Sequence, residues 1–106
     1  LQNGSDVYEA FANPESFAIN ILALDQQEVS GFYARKGDHV MPVEHYALGR
    51  NGAPLLKGAL VSFECAPHAT HEGGDHLIIV GRVLDVAQQP GGKPLLFHAG
   101  QYGEIR

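Results

Sequence analysis

Tryptophan is absent from this 106-residue chain, and cysteine and methionine occur once each. The single thiol, Cys65, excludes an internal disulfide framework and suits a reducing compartment, so a cytoplasmic setting is expected. Bases are scarce as well. Seven Lys and Arg against 12 Asp and Glu leave a net charge of −5, and apart from the adjacent Arg35 and Lys36 the basic residues stand singly. Without a basic cluster the chain lacks the electrostatic footprint of a nucleic-acid surface, and an anionic membrane is an equally poor partner. No apolar run approaches the ~18 residues of a membrane span. Internal repeats and low-complexity stretches are missing too. The length supports one domain with one modest core, and a composition 44 % apolar and 18 % charged is that of a globular protein.

What is present reads mostly as β. Leu1 and Gln2 have the look of a strand's tail, and with no Met ahead of them the chain reads as a fragment or a processed product. Asn3-Gly4-Ser5-Asp6 is a turn opening a short helix, with Ser5 as N-cap and Val7 and Phe11 on one face, and Asn13-Pro14 stops it. Residues 17–22, FAINIL, alternate and are β-branched, the pattern of a strand. A second short helix is expected from a cap at Asp25 to about Tyr33. From Arg35 to Lys57 the period fails, and two Pro, three Gly and an Asn51-Gly52 turn signal predict a long surface loop.

Beyond that loop the β signal strengthens. Residues 59–66, ALVSFECA, predict a strand with Ala59, Val61, Phe63 and Cys65 inward and Ser62 and Glu64 outward. A Gly73-Gly74 turn leads into HLIIVGRVLDV, a buried strand with a bulge or bend at Gly81. Pro90-Gly91-Gly92 turns the chain again, PLLFH predicts a third long strand, and Tyr102 sits in a short last one. Four or five strands with two minor helices point to an antiparallel β barrel or sandwich. Its unpaired edges call for a missing piece or a partner chain.

Several stretches could carry chemistry. CAPHATHEGGDH gathers Cys65, His68, His71, Glu72, Asp75 and His76 within twelve residues, a ligand set that zinc or iron could use in a small metal-dependent β-barrel enzyme. Its spacing matches no zinc-finger or helical His pattern, and the reading of a buried thiol followed by solvated loop histidines is preferred. Cys65 as a nucleophile would need an electropositive, partly exposed setting, whereas it falls in a core stripe. Asn3-Gly4-Ser5 at a helix start offers N–H groups and a hydroxyl to an anion, although most such caps only cap. Gly-Asp-His occurs twice, in GDHVMP at 37–42 and in GGDHLIIV at 73–80. In the second, Asp75 can hold the His76 imidazole in one tautomer at a strand mouth, or merely cap the turn.

The ordered series FAINIL, DQQEVSGF, GAPLLKGALVSFEC, HEGGDHLIIVGRV and PLLFHAGQYGEI resembles the flavin reductase-like family over nearly the whole chain. These are NAD(P)H:flavin oxidoreductases that supply reduced flavin to two-component monooxygenases. The resemblance implies an FMN-binding split β-barrel, antiparallel, with two short helices and a homodimer holding FMN or FAD near its interface. Residues 1–106 would then be the C-terminal two-thirds of the domain, without the first strands. It further implies that His76 lies near the nicotinamide or flavin ring, with Gly74 and Asp75 shaping its turn, and that Asn3, Gly4 and Ser5 receive the flavin phosphate. Asn20 and Tyr102 match recurrent positions, and His39 and His45 fall in a variable loop as solvated residues. A module of the same barrel that binds flavin without turnover is the alternative.

Overall fold

A computed structural model describes residues 15–35 and 40–105. The opening turn with Asn3, Gly4 and Ser5, the first expected helix and His39 lie outside the described residues. Within them the chain runs β1 (Phe17–Ile21), α1 (Gln27–Ala34), a 3₁₀ turn (Val43–His45), β2 (Tyr46–Leu48), β3 (Pro54–Leu56), β4 (Val61–Gly73), β5 (His76–Gln88), β6 (Leu96–His98) and β7 (Gln101–Gly103). The fold is mainly β, as expected. The described strands form open antiparallel sheets, β1-β4-β5, β2-β3 and β6-β7, and not a closed barrel.

The β4–β5 hairpin dominates because β5 is a run of branched apolar residues and Gly74-Asp75 closes it in two residues. Gly74 has φ +65° while Asp75 does not share the positive region, the geometry of a II′ turn, in which glycine belongs at the first central position. The register shifts once between Glu64 and Cys65 and again between Pro67 and Ala69. Gly81 pairs with Pro67 beside the second shift, and the Phe17 ring lies so close that a Cβ on Gly81 would stand 2.6 Å from Phe17 Cζ. The bend expected at Gly81 is therefore a packing requirement between β1 and β5.

Antiparallel partners share a side of the sheet. One side carries Phe17, Cys65 and Val83, then Ile19, Phe63 and Val86; the other carries Ala18, Glu64 and Asp85, then Asn20, Ser62 and Ala87. For Ser62 and Glu64 the burial is the reverse of the expected one, while Ala59 is buried as expected. Glu64 is 1 % exposed and Ser62 5 %, whereas Ile19, Val83 and Val86 are exposed and Val61 and Phe63 only half-buried. The cause is the segment 46–56, which is not a loop but the β2–β3 hairpin, and it covers the polar side through hydrogen bonds to Asn20 and Glu64. Cys65 is buried on the opposite side, as expected.

Other boundaries move too. β4 runs on through HATHEG, so His68 and His71 are exposed strand residues, not loop residues. α1 is capped at Gln26 without a side-chain cap bond, in place of Asp25, because Gln26 Oε1 accepts the Ala23 N–H at 2.9 Å and Gln26 Nε2 donates to Lys57 O. PLLFH gives only the three residues of β6, exposed throughout, after a bridge from Pro94 to Ala23. His45 is half-buried and hydrogen-bonded to the Tyr33 hydroxyl at 3.0 Å, against the expectation of a solvated ring. No helix among the described residues is long and apolar enough to cross a membrane.

Candidate functional site

The tip of the β4–β5 hairpin holds the first candidate group. His76 Nδ1–H donates to Asp75 Oδ1 at 2.6 Å, with the two side chains 52 % and 77 % exposed. A carboxylate can only accept, so this bond assigns a proton to Nδ1 and, in the neutral ring, leaves Nε2 as the acceptor. Period two places Ile78 and Val80, both exposed, on the same side of β5 as His76. The tip thus presents a fixed imidazole edge beside an apolar shelf. Such a surface can hold one edge and one face of a planar polar ring.

Asn20 stands elsewhere. Its Oδ1 accepts from Ser62 Oγ at 2.7 Å and from Leu56 N at 3.1 Å, and its Nδ2 donates to Pro54 O at 3.4 Å. It therefore ties β1 to β4 and to β3. Ser62 and Gly73 are eleven positions apart on β4 (73 − 62), on the order of 35 Å of extended strand, so Asn20 and His76 do not meet within one chain. Tyr102 occupies a third place. Its hydroxyl donates to Ser30 Oγ at 3.0 Å, linking β7 to α1, beside an open cleft of about 130 Å³ lined by Leu24, Gln27, Leu95, Tyr102, Gly103 and Glu104.

A fourth group escaped the sequence reading. The Glu64 carboxylate accepts from Asn51 N at 3.0 and 2.9 Å and from Asn51 Nδ2 at 2.8 Å. The available signal was Asn20 within an alternating strand, a third polar residue with Ser62 and Glu64 that needed a common covered side. Burial pushes the Cys65 thiol up, the wrong direction for a nucleophile, and burial followed by the neighbouring Tyr46 raises Tyr33. Among the described residues no three of His, Cys, Asp and Glu gather as a metal-holding group.

Residues 1–106 match the family described as flavin reductase like domain. FMN reductase (NADH) SmoA of Agrobacterium fabrum is 37 % identical over 101 residues, 95 % of this chain and 57 % of the relative. The reductase subunit of a flavin-dependent monooxygenase from Rhodococcus jostii is 34 % identical over 90 residues, covering 84 % of this chain and 46 % of its own length. The chain thus spans about half the length of these relatives. Among solved structures, the NADH:FAD oxidoreductase of Streptomyces globisporus in complex with NAD and FAD fragments superposes with a TM-score of 0.91 at 27 % identity, over 100 % of this chain and 65 % of that one.

Proposed function

The chain belongs to the flavin reductase like family, and from that premise we propose that the whole protein is an NAD(P)H:flavin oxidoreductase whose reduced FMN or FAD serves a partner monooxygenase. The names of the relatives, an NADH-dependent FMN reductase and a monooxygenase reductase subunit, support both halves of that reading. The observation that carries it is the hairpin tip, where Asp75 fixes the tautomer of an exposed His76 beside Ile78 and Val80.

The described residues fit one wall of a flavin or nicotinamide site. They do not enclose one, since the cleft at Tyr102 holds about 130 Å³ and small-molecule pockets begin at roughly 300 Å³. In our reading His76 and Asp75 orient the ring of the nicotinamide or flavin, with Gly74 keeping the turn tight enough to present them. Asn3, Gly4 and Ser5 take the phosphate, Tyr102 flanks the site from its cleft, and Asn20 acts by fixing β3 against β1. The flavin, once bound, supplies the redox chemistry by accepting a hydride from the nicotinamide. A homodimer would bring a second copy's residues to complete the wall, and the exposed Ile19, Ile21, Val83 and Val86 on one sheet side support it. The split barrel is the architecture we propose for the whole protein, with β1-β4-β5 as one of its sides.

The test is NAD(P)H oxidation by the whole protein with added FMN or FAD, comparing wild type with His76→Ala. Loss of one charge-assisted or buried polar contact predicts a fall in kcat/KM for NAD(P)H of about ten-fold or more. An unchanged efficiency would remove His76 from the site. Flavin binding with no NAD(P)H consumption would favour the module that binds without turnover.

A further inference from the structure

We propose that the β2–β3 hairpin is a strap latched onto the sheet by Glu64, able to open as a unit while the sheet stays folded. The hairpin shares no backbone ladder with β1-β4-β5. Its attachments across that gap are made by side chains: Glu64 to Asn51 N and Nδ2, Ser16 Oγ to Asn51 O, Asn20 to Leu56 N and Pro54 O, and Gln26 Nε2 to Lys57 O. Apolar burial at the hairpin is partial, with Tyr46, Pro54, Leu55 and Leu56 half-buried. Only Ala53 in the segment 46–56 is fully buried, and Leu48 is 67 % exposed.

Glu64 is the central attachment. Both of its oxygens are used as acceptors, and its hydrogen-bond donors all belong to Asn51, the residue at the hairpin's turn. Gly49 makes the fit possible, since a Cβ there would overlap Glu64 Oε1. The nearest strap cation, Arg50, pairs instead with Asp85 at 3.9 Å and is itself 89 % exposed. A carboxylate buried under donors, with no counter-cation paired to it among the described residues, gives a latch near balance. Closing trades hydration for the Asn51 donors, and opening returns the carboxylate to water. Apolar packing would have no such compensation on opening.

Hydrogen exchange of the whole protein tests the latch. Glu64→Gln keeps the side-chain shape but sets an amide NH₂ against the Asn51 donors. The Asn51 and Leu56 amides should then exchange about ten- to a hundred-fold faster, while Ile79 and Val80 in β5 change less than about two-fold. Asn51→Ala in the Glu64→Gln background should add almost nothing further. Rates rising in parallel throughout the chain, or not rising at Asn51, would overturn the proposal. Should the variants fail to fold, wild-type exchange in low urea decides. Hairpin amides should open with a weaker urea dependence than β5 amides, and a single shared dependence would refute a separate opening.

Discussion

One substitution, made at two glycines, should have opposite signs. Gly31 lies inside α1 with nothing within 4 Å of where a Cβ would stand. Alanine there gains helix propensity and restricts the unfolded chain, about 1 kcal/mol of added stability. Gly81 lies inside β5, and the same methyl group would sit 2.6 Å from Phe17 Cζ and 3.2 Å from Cys65 Cβ. Backbone entropy again favours alanine by roughly 0.5–1 kcal/mol. Against this, the Phe17 ring must retreat by about 1 Å from its place over β5, an overpacking of about 1–3 kcal/mol. Strain wins, and Gly81→Ala loses about 0.5–2 kcal/mol. The two variants therefore differ by about 2 kcal/mol, or on the order of 10 °C in Tm for a domain of this size. Urea denaturation followed by circular dichroism gives both midpoints. In a Phe17→Leu background the penalty at Gly81 should largely vanish, because the ring that obstructs it is gone. A Gly81→Ala protein as stable as Gly31→Ala would refute the close approach of β1 to β5.

Three further outcomes follow from the geometry. Ala99 has φ 52° and Gly100 φ 78° in the β6–β7 turn, a I′ arrangement that favours Asn-Gly, so Ala99→Asn should raise stability by about 0.5–1 kcal/mol in the same urea assay. The Cys65 thiol is raised above its ordinary 9.0 by burial, so the folded state keeps a proton that the unfolded state gives up. Its stabilising effect is complete below pH 9.0 and is lost as pH rises through the higher folded value. Wild type should therefore lose stability faster than Cys65→Ala as pH rises above 9.0, and parallel curves would contradict the burial. Asp75→Ala removes the acceptor of His76 Nδ1–H, and ¹⁵N shifts of the imidazole should move from the Nδ1–H form toward Nε2–H.

The sequence is legible where period and turn chemistry are long and unambiguous. β5 declares itself through the apolar run from Leu77 to Val80 behind Gly74, Pro90-Gly91-Gly92 turns the chain where expected, and Tyr102 falls in the expected short last strand. The β2–β3 hairpin is hidden because three-residue strands carry no period, and Pro54 and Gly49 read as loop residues. The length of β4 is concealed by Pro67, which looks like a stop. Among the described residues β1 pairs with β4 only from Val61 to Cys65, and the β4–β5 register shifts between Pro67 and Ala69, so Pro67 stands at an irregular, edge-like place where a strand tolerates proline. At the candidate site, Asp75 and His76 are adjacent in sequence and their contact was accessible by inspection. Glu64 and Asn51 are thirteen positions apart in segments read as strand face and loop, and only the folded chain joins them.

Alternation states which residues share a side of a sheet and is silent on which side is covered. In β4 the polar residues Ser62 and Glu64 are covered, whereas on the apolar side only Cys65 is buried and Val61 and Phe63 are half-buried, and this imbalance ties stability to assembly. Ile19, Ile21, Val83 and Val86 are 39–52 % exposed. Full burial of such a side chain stabilises by about 1.5–3 kcal/mol, so covering the remaining half of four of them offers about 3–6 kcal/mol. That is a large share of the 5–15 kcal/mol typical of a domain. Meanwhile the covered side holds a carboxylate, a hydroxyl and an amide whose hydrogen bonds do little more than offset their desolvation. A sheet built this way draws a large part of its free energy from whatever lies on its apolar side. If that is a second copy, mass action requires the midpoint of thermal unfolding to rise with protein concentration, and a midpoint independent of concentration would assign the apolar side to some other cover.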